Sequence, residues 1–314
     1  MLNVQAVVVA YNRRDLLNEA LAAISTQSRP LDAVHVVDNA STDSTSEMVE
    51  AQFPDVRLHT LTTNTGGAGG FAAGLAYALS GGADLVWLMD DDTVPTATAL
   101  EELLTARESF AGPPPAAMAS KVVWTDGRDH PMNTPRVRPG ASREDLANAT
   151  AVGCLPVRSA SFVSLLVAAD SVRTVGLPEA DFFLWNDDFE FTTRLLRREA
   201  GLYCPASVVE HRTKTFGSTD ADPGERFYYE VRNKVWTFTR SRGLTPKEKA
   251  LYGGSTLRRW ARTFAASGHR GVLASGLRRG LADGARRAPR DAYEVLGAAG
   301  ITIPELDRSG QAPP

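Results

Sequence analysis

Three consecutive carboxylates, Asp90, Asp91 and Asp92, close the short apolar run Leu85-Val86-Trp87-Leu88-Met89. Adjacent acids repel one another, and a cation held among them compensates that repulsion. Hard oxygen ligands of this kind suit Mg²⁺ or Mn²⁺. A solvated Asp-rich turn after a strand fits the same residues. A second cluster, Asp187, Asp188 and Glu190, follows the aromatic stretch that ends in Trp185-Asn186. The helix dipole favours acids in a first turn, which explains one acid but not three. A carboxyl beside aromatic rings can have its pKa raised into the range of a general base. His211 stands at the end of the apolar stretch Leu202 to Val209. It is either structural or, as a neutral imidazole, a third ligand for an ion at the aspartates.

The elements that position these groups follow from periodicity. Val4 to Ala10, Ala33 to Val37 and Leu85 to Met89 read as short buried strands, the first near-continuously apolar as parallel sheets require, and Val56 to Leu61 reads as a further strand. Between them, Asp15 to Thr26 carries Leu16, Leu17, Ala20, Leu21 and Ile24 at helical spacing. Ser44 with Glu47 gives a capping-box signal, and a helix is expected from the glycine-rich segment through Leu79. The β-α-β-α-β-α-β order predicts an α/β fold with a mostly parallel central sheet flanked by helices. Each strand ends in polar residues: Tyr11-Asn12, Asp38-Asn39, Asn64 and Asp90 to Asp92. All of them would line the carboxyl edge, where such sheets bind ligands.

Further along, Ala117 to Trp124 reads as an edge strand, Thr125 to Thr150 as a long polar loop, Ser161 to Ala169 as a fifth strand and Thr213 to Gly224 as a lid. Glu225 to Arg240 reads as a helix with an aromatic core stripe and a snorkelling Arg232.

The glycine segment admits two chemistries. Gly67-Ala-Gly69-Gly-Phe-Ala72 fits G-x-G-x-x-A, and Asp90 lies about 20 residues further on, as in a dinucleotide-binding unit. A NAD-dependent dehydrogenase is therefore one alternative. Against it, two β-α units precede the loop, and a ribose needs one acid rather than three. Tight helix–strand packing also explains the glycines.

Composition narrows the classes. The 314 residues are 43% hydrophobic with a net charge of -3, so a large core is expected and nothing global points to nucleic acid. The two cysteines, Cys154 and Cys204, make no disulfide framework. No signal peptide is expected, and no apolar run approaches the roughly 20 residues of a membrane helix. A cytoplasmic protein is expected. Beyond Pro246 the chain is helical in pattern and rich in arginine, including Arg258, Arg262, Arg270, Arg278, Arg279 and Arg286, with Trp260 and Phe264 among them. This is either a basic amphipathic surface for anionic lipid or a solvated face.

Together these motifs resemble the family 2 glycosyltransferases of GT-A fold. The resemblance is carried by Val8-Val9-Ala10-Tyr11-Asn12-Arg13, Val37-Asp38-Asn39-Ala40-Ser41-Thr42-Asp43, Asn64-Thr65-Gly66-Gly67-Ala68-Gly69-Gly70-Phe71, Asp90-Asp91-Asp92, Asn186-Asp187-Asp188-Phe189-Glu190 and His211. The glycine loop and the Trp-Leu-Met-Asp-Asp-Asp run look like the galactofuranosyltransferase and rhamnosyltransferase branch. The resemblance implies an inverting transfer with a nucleotide-sugar donor and a lipid-linked glycan acceptor, best matched by UDP-galactofuranose, with dTDP-rhamnose as the alternative.

By position, it implies Tyr11, Asp38 and Asn39 at the nucleoside. Asn64, Gly66 and Gly67 would hold the nucleotide sugar, with Asp90, Asp91, Trp185 and Asp187 around it. Asp90, Asp92 and His211 would hold Mn²⁺ or Mg²⁺, and Asp188 would be the base. Asp187 stands where many members have Glu. The implied organisation is a transferase domain over 1–240, a helical region over 241–307 that docks on the inner face of the membrane, and a disordered tail over 308–314.

Overall fold

The computed structural model describes residues 1–135, 137–214, 216 and 222–306. The chain opens with β1 (Val4–Ala10), α1 (Arg14–Ser25), β2 (Ala33–Asp38), α2 (Thr45–Gln52), β3 (Arg57–Thr60), α3 (Gly66–Ser80) and β4 (Leu85–Asp90). These four strands pair in parallel, in the order β3-β2-β1-β4. β1 is apolar at nearly every position because it is covered on both faces. Val7 and Val9 enter one core layer, with Phe71, Leu75 and Phe191. Ala6, Val8 and Ala10 enter the other, with Leu17, Leu21 and Leu100.

The chain continues through β5 (Thr93–Pro95), α4 (Ala99–Ser109), β6 (Ala117–Val123), α5 (Arg143–Ala151), β7 (Leu155–Pro156), β8 (Ser164–Ala168), α6 (Ala169–Val175), α7 (Asp187–Leu195) and β9 (Gly201–His211). The full order is β3-β2-β1-β4-β8-β6-β9-β5, with β7 paired to β9. β8 runs antiparallel to both β4 and β6, so the sheet is mixed beyond β4. Three sequence expectations change here. Ala117 to Trp124 is not an edge strand: β6 lies between β8 and β9, and its small residues Ala117, Ala119 and Ser120 are buried. The polar stretch Thr125 to Thr150 contains a helix, α5, which Ser142 and Asp145 open with a reciprocal capping box. Ser44 and Glu47 form no such box. Ser44 is left-handed (φ 62°) without a side-chain cap bond, and Asp43 instead accepts from the Arg14 amide at 3.0 Å.

The glycines of α3 set its distance from the sheet. A Cβ at Gly70 would lie 2.5 Å from Val9 Cγ1, so the helix rests directly on β1. Gly66 has φ +73°, and a Cβ there would stand 2.0 Å from the Phe183 carbonyl oxygen.

Beyond β9 come α8 (Phe227–Thr239), α9 (Pro246–Ala266), α10 (Arg270–Arg286) and α11 (Ala292–Ala298). Gly276, Gly280 and Gly284 form one small face of α10, against which Tyr228, Val231 and Val235 of α8 pack closely. Leu296, Ile301, Ile303 and Leu306 return to the first core layer. Half of the stretch Thr213 to Gly224, expected as a lid, and the whole of 308–314, expected as a disordered tail, lie outside the described residues. No helix among the described residues is long and apolar enough to cross a membrane.

Candidate active site

The carboxyl ends of β1, β4 and β9 meet at one point. β4 delivers Asp90, and the following turn carries Asp91 and Asp92 into β5, which pairs with the end of β9 through Thr93 and His211. Asp90, Asp92 and His211 each bring a ligand atom within 4.8 Å of one another. His211 Nε2 lies 3.1 Å from Asp92 Oδ1, yet that buried oxygen accepts no aligned hydrogen bond among the described residues. Two carboxylates, one imidazole and an orphaned buried oxygen suit a hard or borderline divalent cation.

Asp91 is not part of this group. It is buried, accepts from the Tyr11 amide at 3.0 Å and pairs with Arg13 at 3.3 Å. The Arg13 guanidinium also pairs with Asp92. Part of the compensation for three adjacent acids is therefore supplied by the protein. Arg13 stands one residue after Tyr11-Asn12 at the same strand end, which was the signal available for finding it.

The electrostatics follow from burial. Burial raises Asp90 to about 6, with the charge of Asp92 in the same direction. Burial raises Asp91 to about 7, against the pull of Arg13. Burial also opposes ionisation of Asp92, but His211 and Arg13 outweigh it and hold Asp92 below the usual carboxylate range. His211 is the reciprocal case: burial disfavours its charge, and Asp92 overrides burial and raises it. His211 Nδ1 lies 3.0 Å from Asn133 Oδ1. An amide oxygen only accepts, so Nδ1 carries a proton, and when the ring is neutral Nε2 is the nitrogen that keeps its lone pair.

The second acid cluster reaches this group through an unusual loop. Phe183, Trp185 and Asn186 are all left-handed, with φ of 62°, 64° and 68°, a conformation that costs non-glycine residues about 1–3 kcal/mol each. α8 holds the loop in place. Asn233 Nδ2 donates to the carbonyls of Phe182, Leu184 and Trp185 at 2.8–2.9 Å. Arg232 Nη2 donates to the carbonyls of Asp181 and Phe182 at 2.7 and 3.0 Å. Arg232 is thus buried, 4% exposed, and does not snorkel.

Asp187 and Asp188 then open α7. Burial raises both. The charge of Asp188 adds to the shift at Asp187, whereas the Phe189 amide and Lys234 oppose it at Asp188. The charge of Asp188 also raises Asp90, after burial and Asp92, so the two clusters act on one another. Glu190 is not part of that site: it is 2% exposed and pairs with Arg194 at 3.0 Å.

The remaining expected residues divide into exposed and committed groups. Tyr11 is 45% exposed at the edge. Asp38 is buried and accepts from the Ser41 amide at 2.9 Å and from the Ser46 hydroxyl. Asn39 donates to the Gly66 carbonyl and accepts from the Thr65 amide, both at 2.8 Å. Asn64 accepts from the Gly66 amide at 2.8 Å. These three hold the turns that border the cleft. At the start of α3 the Ala68 amide donates to the Phe183 carbonyl at 3.3 Å, so that helix end meets a protein oxygen where a dinucleotide fold would bind pyrophosphate. A Cβ at Gly67 would meet nothing within 4 Å.

Comparison with known proteins gives the family and the fold. Residues 5–131 match the family described as Glycosyl transferase family 2. The galactofuranosyltransferase GlfT1 of Mycolicibacterium smegmatis is 34% identical over 196 residues, covering 61% of this chain and 65% of that protein, just under two thirds of its length. The galactofuranosyltransferase GlfT1 of Mycobacterium tuberculosis is 30% identical over 268 residues, 80% of this chain and 88% of that protein. Among solved structures, S. aureus TarS 1-349 in complex with UDP superposes with a TM-score of 0.59 at 17% identity, over 86% of this chain and 74% of that chain. The mannosyltransferase PcManGT from Pyrobaculum calidifontis, in complex with GDP-Man and Mn²⁺, gives 0.53 at 19% identity, over 95% and 86%. At such identities these two speak to the GT-A fold alone.

Proposed function

Because the chain belongs to glycosyl transferase family 2, we propose that it transfers galactofuranose from UDP-galactofuranose, with inversion, onto a glycan acceptor carried on a lipid. The observation that carries this reading is the shared site: Asp90, Asp92 and His211 within ligand distance of one another, and Asp188 close enough for its charge to act on Asp90. The galactofuranosyltransferase relatives favour that sugar over rhamnose from dTDP-rhamnose.

In this mechanism Asp188 takes the proton from an acceptor hydroxyl. The oxygen attacks the anomeric carbon from the face opposite the nucleotide, and the bond to the diphosphate breaks. Asp90, Asp92 and His211 would hold a divalent ion, Mn²⁺ or Mg²⁺, which would supply Lewis-acid neutralisation of the leaving charge. Tyr11 is exposed at the nucleoside side, with Asp38 and Asn39 fixing the turns beneath it. Asn64 and Gly66 shape the neighbouring turn, and Gly67 leaves room for close approach of the donor. Asp91 orients the Tyr11 amide and Arg13. Trp185 and Asp187 border the sugar.

The exposed faces of α9 and α10 support peripheral contact with an anionic membrane. Arg258 and Arg262 of α9 and Arg278 and Arg279 of α10 are exposed, as are Leu251 and Leu257 of α9, at 57% and 64%. The acids of that region are engaged inward: Glu248 pairs with Arg158 at 2.7 Å, and Asp283 accepts from Tyr228 at 2.8 Å.

The deciding experiment is the melting temperature with Mn²⁺ against UDP, dTDP, GDP and NAD, since a ligand of the native state alone must raise it. A metal-dependent rise with UDP supports the assignment. A rise with dTDP alone moves it to rhamnose, and a rise with NAD alone overturns it.

A further inference from the structure

We propose that Glu230 of α8 is a positioning residue for the transfer step, and that through it α9 is a working part of the active site. The proposal rests on Asp188 being the base.

Asn186 is the left-handed residue directly before Asp187 and Asp188, and the N-cap of α7. An Asn at this position usually turns its side-chain oxygen back to the first amides of its own helix. Here it makes no such bond. Its Nδ2 points away and donates to Glu230 Oε2 at 2.8 Å. The other carboxylate oxygen, Glu230 Oε1, accepts from Trp260 Nε1 at 3.1 Å and from the Arg259 guanidinium, both on α9. The Glu230 side chain is only 12% exposed. One carboxylate therefore joins the residue that launches the acids to the helix that carries the basic face.

One turn further along α8, Lys234 places Nζ 4.1 Å from the Phe189 ring centroid, and its charge acts on Asp188. The same helix thus braces the Asp187–Asp188 segment from both sides, while Asn233 holds the strained residues before it. An unbraced left-handed Asn186 has lower-energy conformations available, and its relaxation rotates the first turn of α7 and moves Asp188 off line. Displacements of that size act on the chemical step more than on donor binding.

The test compares Glu230→Ala and Glu230→Gln with wild type in the full-length chain. The readouts are UDP release from UDP-galactofuranose with an alkyl galactofuranoside acceptor, UDP affinity with Mn²⁺ by calorimetry, and melting temperature. We expect kcat of Glu230→Ala to fall about tenfold to a hundredfold, with donor KM and UDP affinity unchanged. Glu230→Gln keeps an oxygen for Asn186 but turns an amide N–H toward Trp260 and Arg259, so it restores part of the rate. Wild-type kcat in Glu230→Ala overturns the proposal. So does equal loss in both variants together with a lowered melting temperature, the mark of a merely structural ion pair. Asp188→Asn is measured alongside. If it transfers at the wild-type rate, the base assignment itself fails; if it is inactive while Glu230→Ala is normal, only the positioning role fails.

Discussion

His211 Nε2 stands 3.1 Å from Asp92 Oδ1 although the two residues are more than a hundred positions apart in the chain. The contact exists because β9 closes against β5 directly after the aspartate turn. The ring's other nitrogen is held by Asn133, so in the neutral ring the Nε2 lone pair is directed to the side where Asp90 and Asp92 converge.

The first prediction concerns that convergence. Asp92→Ala removes a ligand and should weaken Mn²⁺-dependent UDP binding, while metal-free UDP binding stays as it was. Asn133→Leu removes only the partner of the His211 ring and should cost about tenfold in metal affinity. Calorimetric titration of Mn²⁺ and UDP reads both. An unchanged titration for Asp92→Ala would mean the ion, if any, binds elsewhere.

A second prediction follows from the burial of Asp188. The base works only as a carboxylate, so the rate falls as pH drops through its pKa. Burial raises that pKa despite Lys234, so the acid limb of kcat lies above the ordinary Asp value of about 3.9. Asp188→Asn should abolish transfer and retain UDP binding. An active Asn variant, or a limb at the unperturbed value, would remove Asp188 from the role.

Away from the site, His35 gives a stability prediction. It is 2% exposed, hydrogen-bonds His59 and Gln5 at 2.9 Å each, and has its pKa lowered to about 4, first by burial and then by the charges of His59 and Arg57. A histidine with a depressed folded pKa contributes stability above its unfolded pKa of about 6.5, and that stability is lost as pH falls toward the folded value. Stability should therefore be level above that point and decline between pH 6.5 and about 4, by on the order of 3 kcal/mol. His35→Gln should flatten the decline in urea titrations across this window. An identical slope in the variant would assign the pH dependence to other groups.

The basic face makes a fourth. Arg258→Gln with Arg262→Gln should weaken co-sedimentation with anionic vesicles by about 1 kcal/mol per arginine, and the difference should shrink as salt rises. Binding that ignores both the substitutions and the salt would leave α9 as an ordinary solvated helix.

Much of this molecule was legible in the amino-acid order because the information is local. Apolar runs of strand length followed by Asn or Asp define β1, β2 and β4 and their common edge, whereas β3, Arg57-Leu58-His59-Thr60, is a half-exposed edge strand fixed by its pairing with β2. Periodicity of 2 and 3.6 residues needs no knowledge of what packs alongside. Asp90, Asp92 and His211, the candidate ion site, stood out by residue type and strand-end position, and the resemblance singled out those two of the three aspartates. What the order could not show is which side chains are turned inward to serve the fold. Asp91, between Asp90 and Asp92, serves Tyr11 and Arg13. Gly66 is required by the Phe183 carbonyl, Arg232 by the carbonyls of a strained loop, and Glu230 by residues on two other elements. The strand β6, exposed by its polar surroundings in the sequence, is interior because β9 returns beside it. Each of these depends on contacts between segments far apart in the chain, and only the tertiary structure decides which of many compatible partners each one meets.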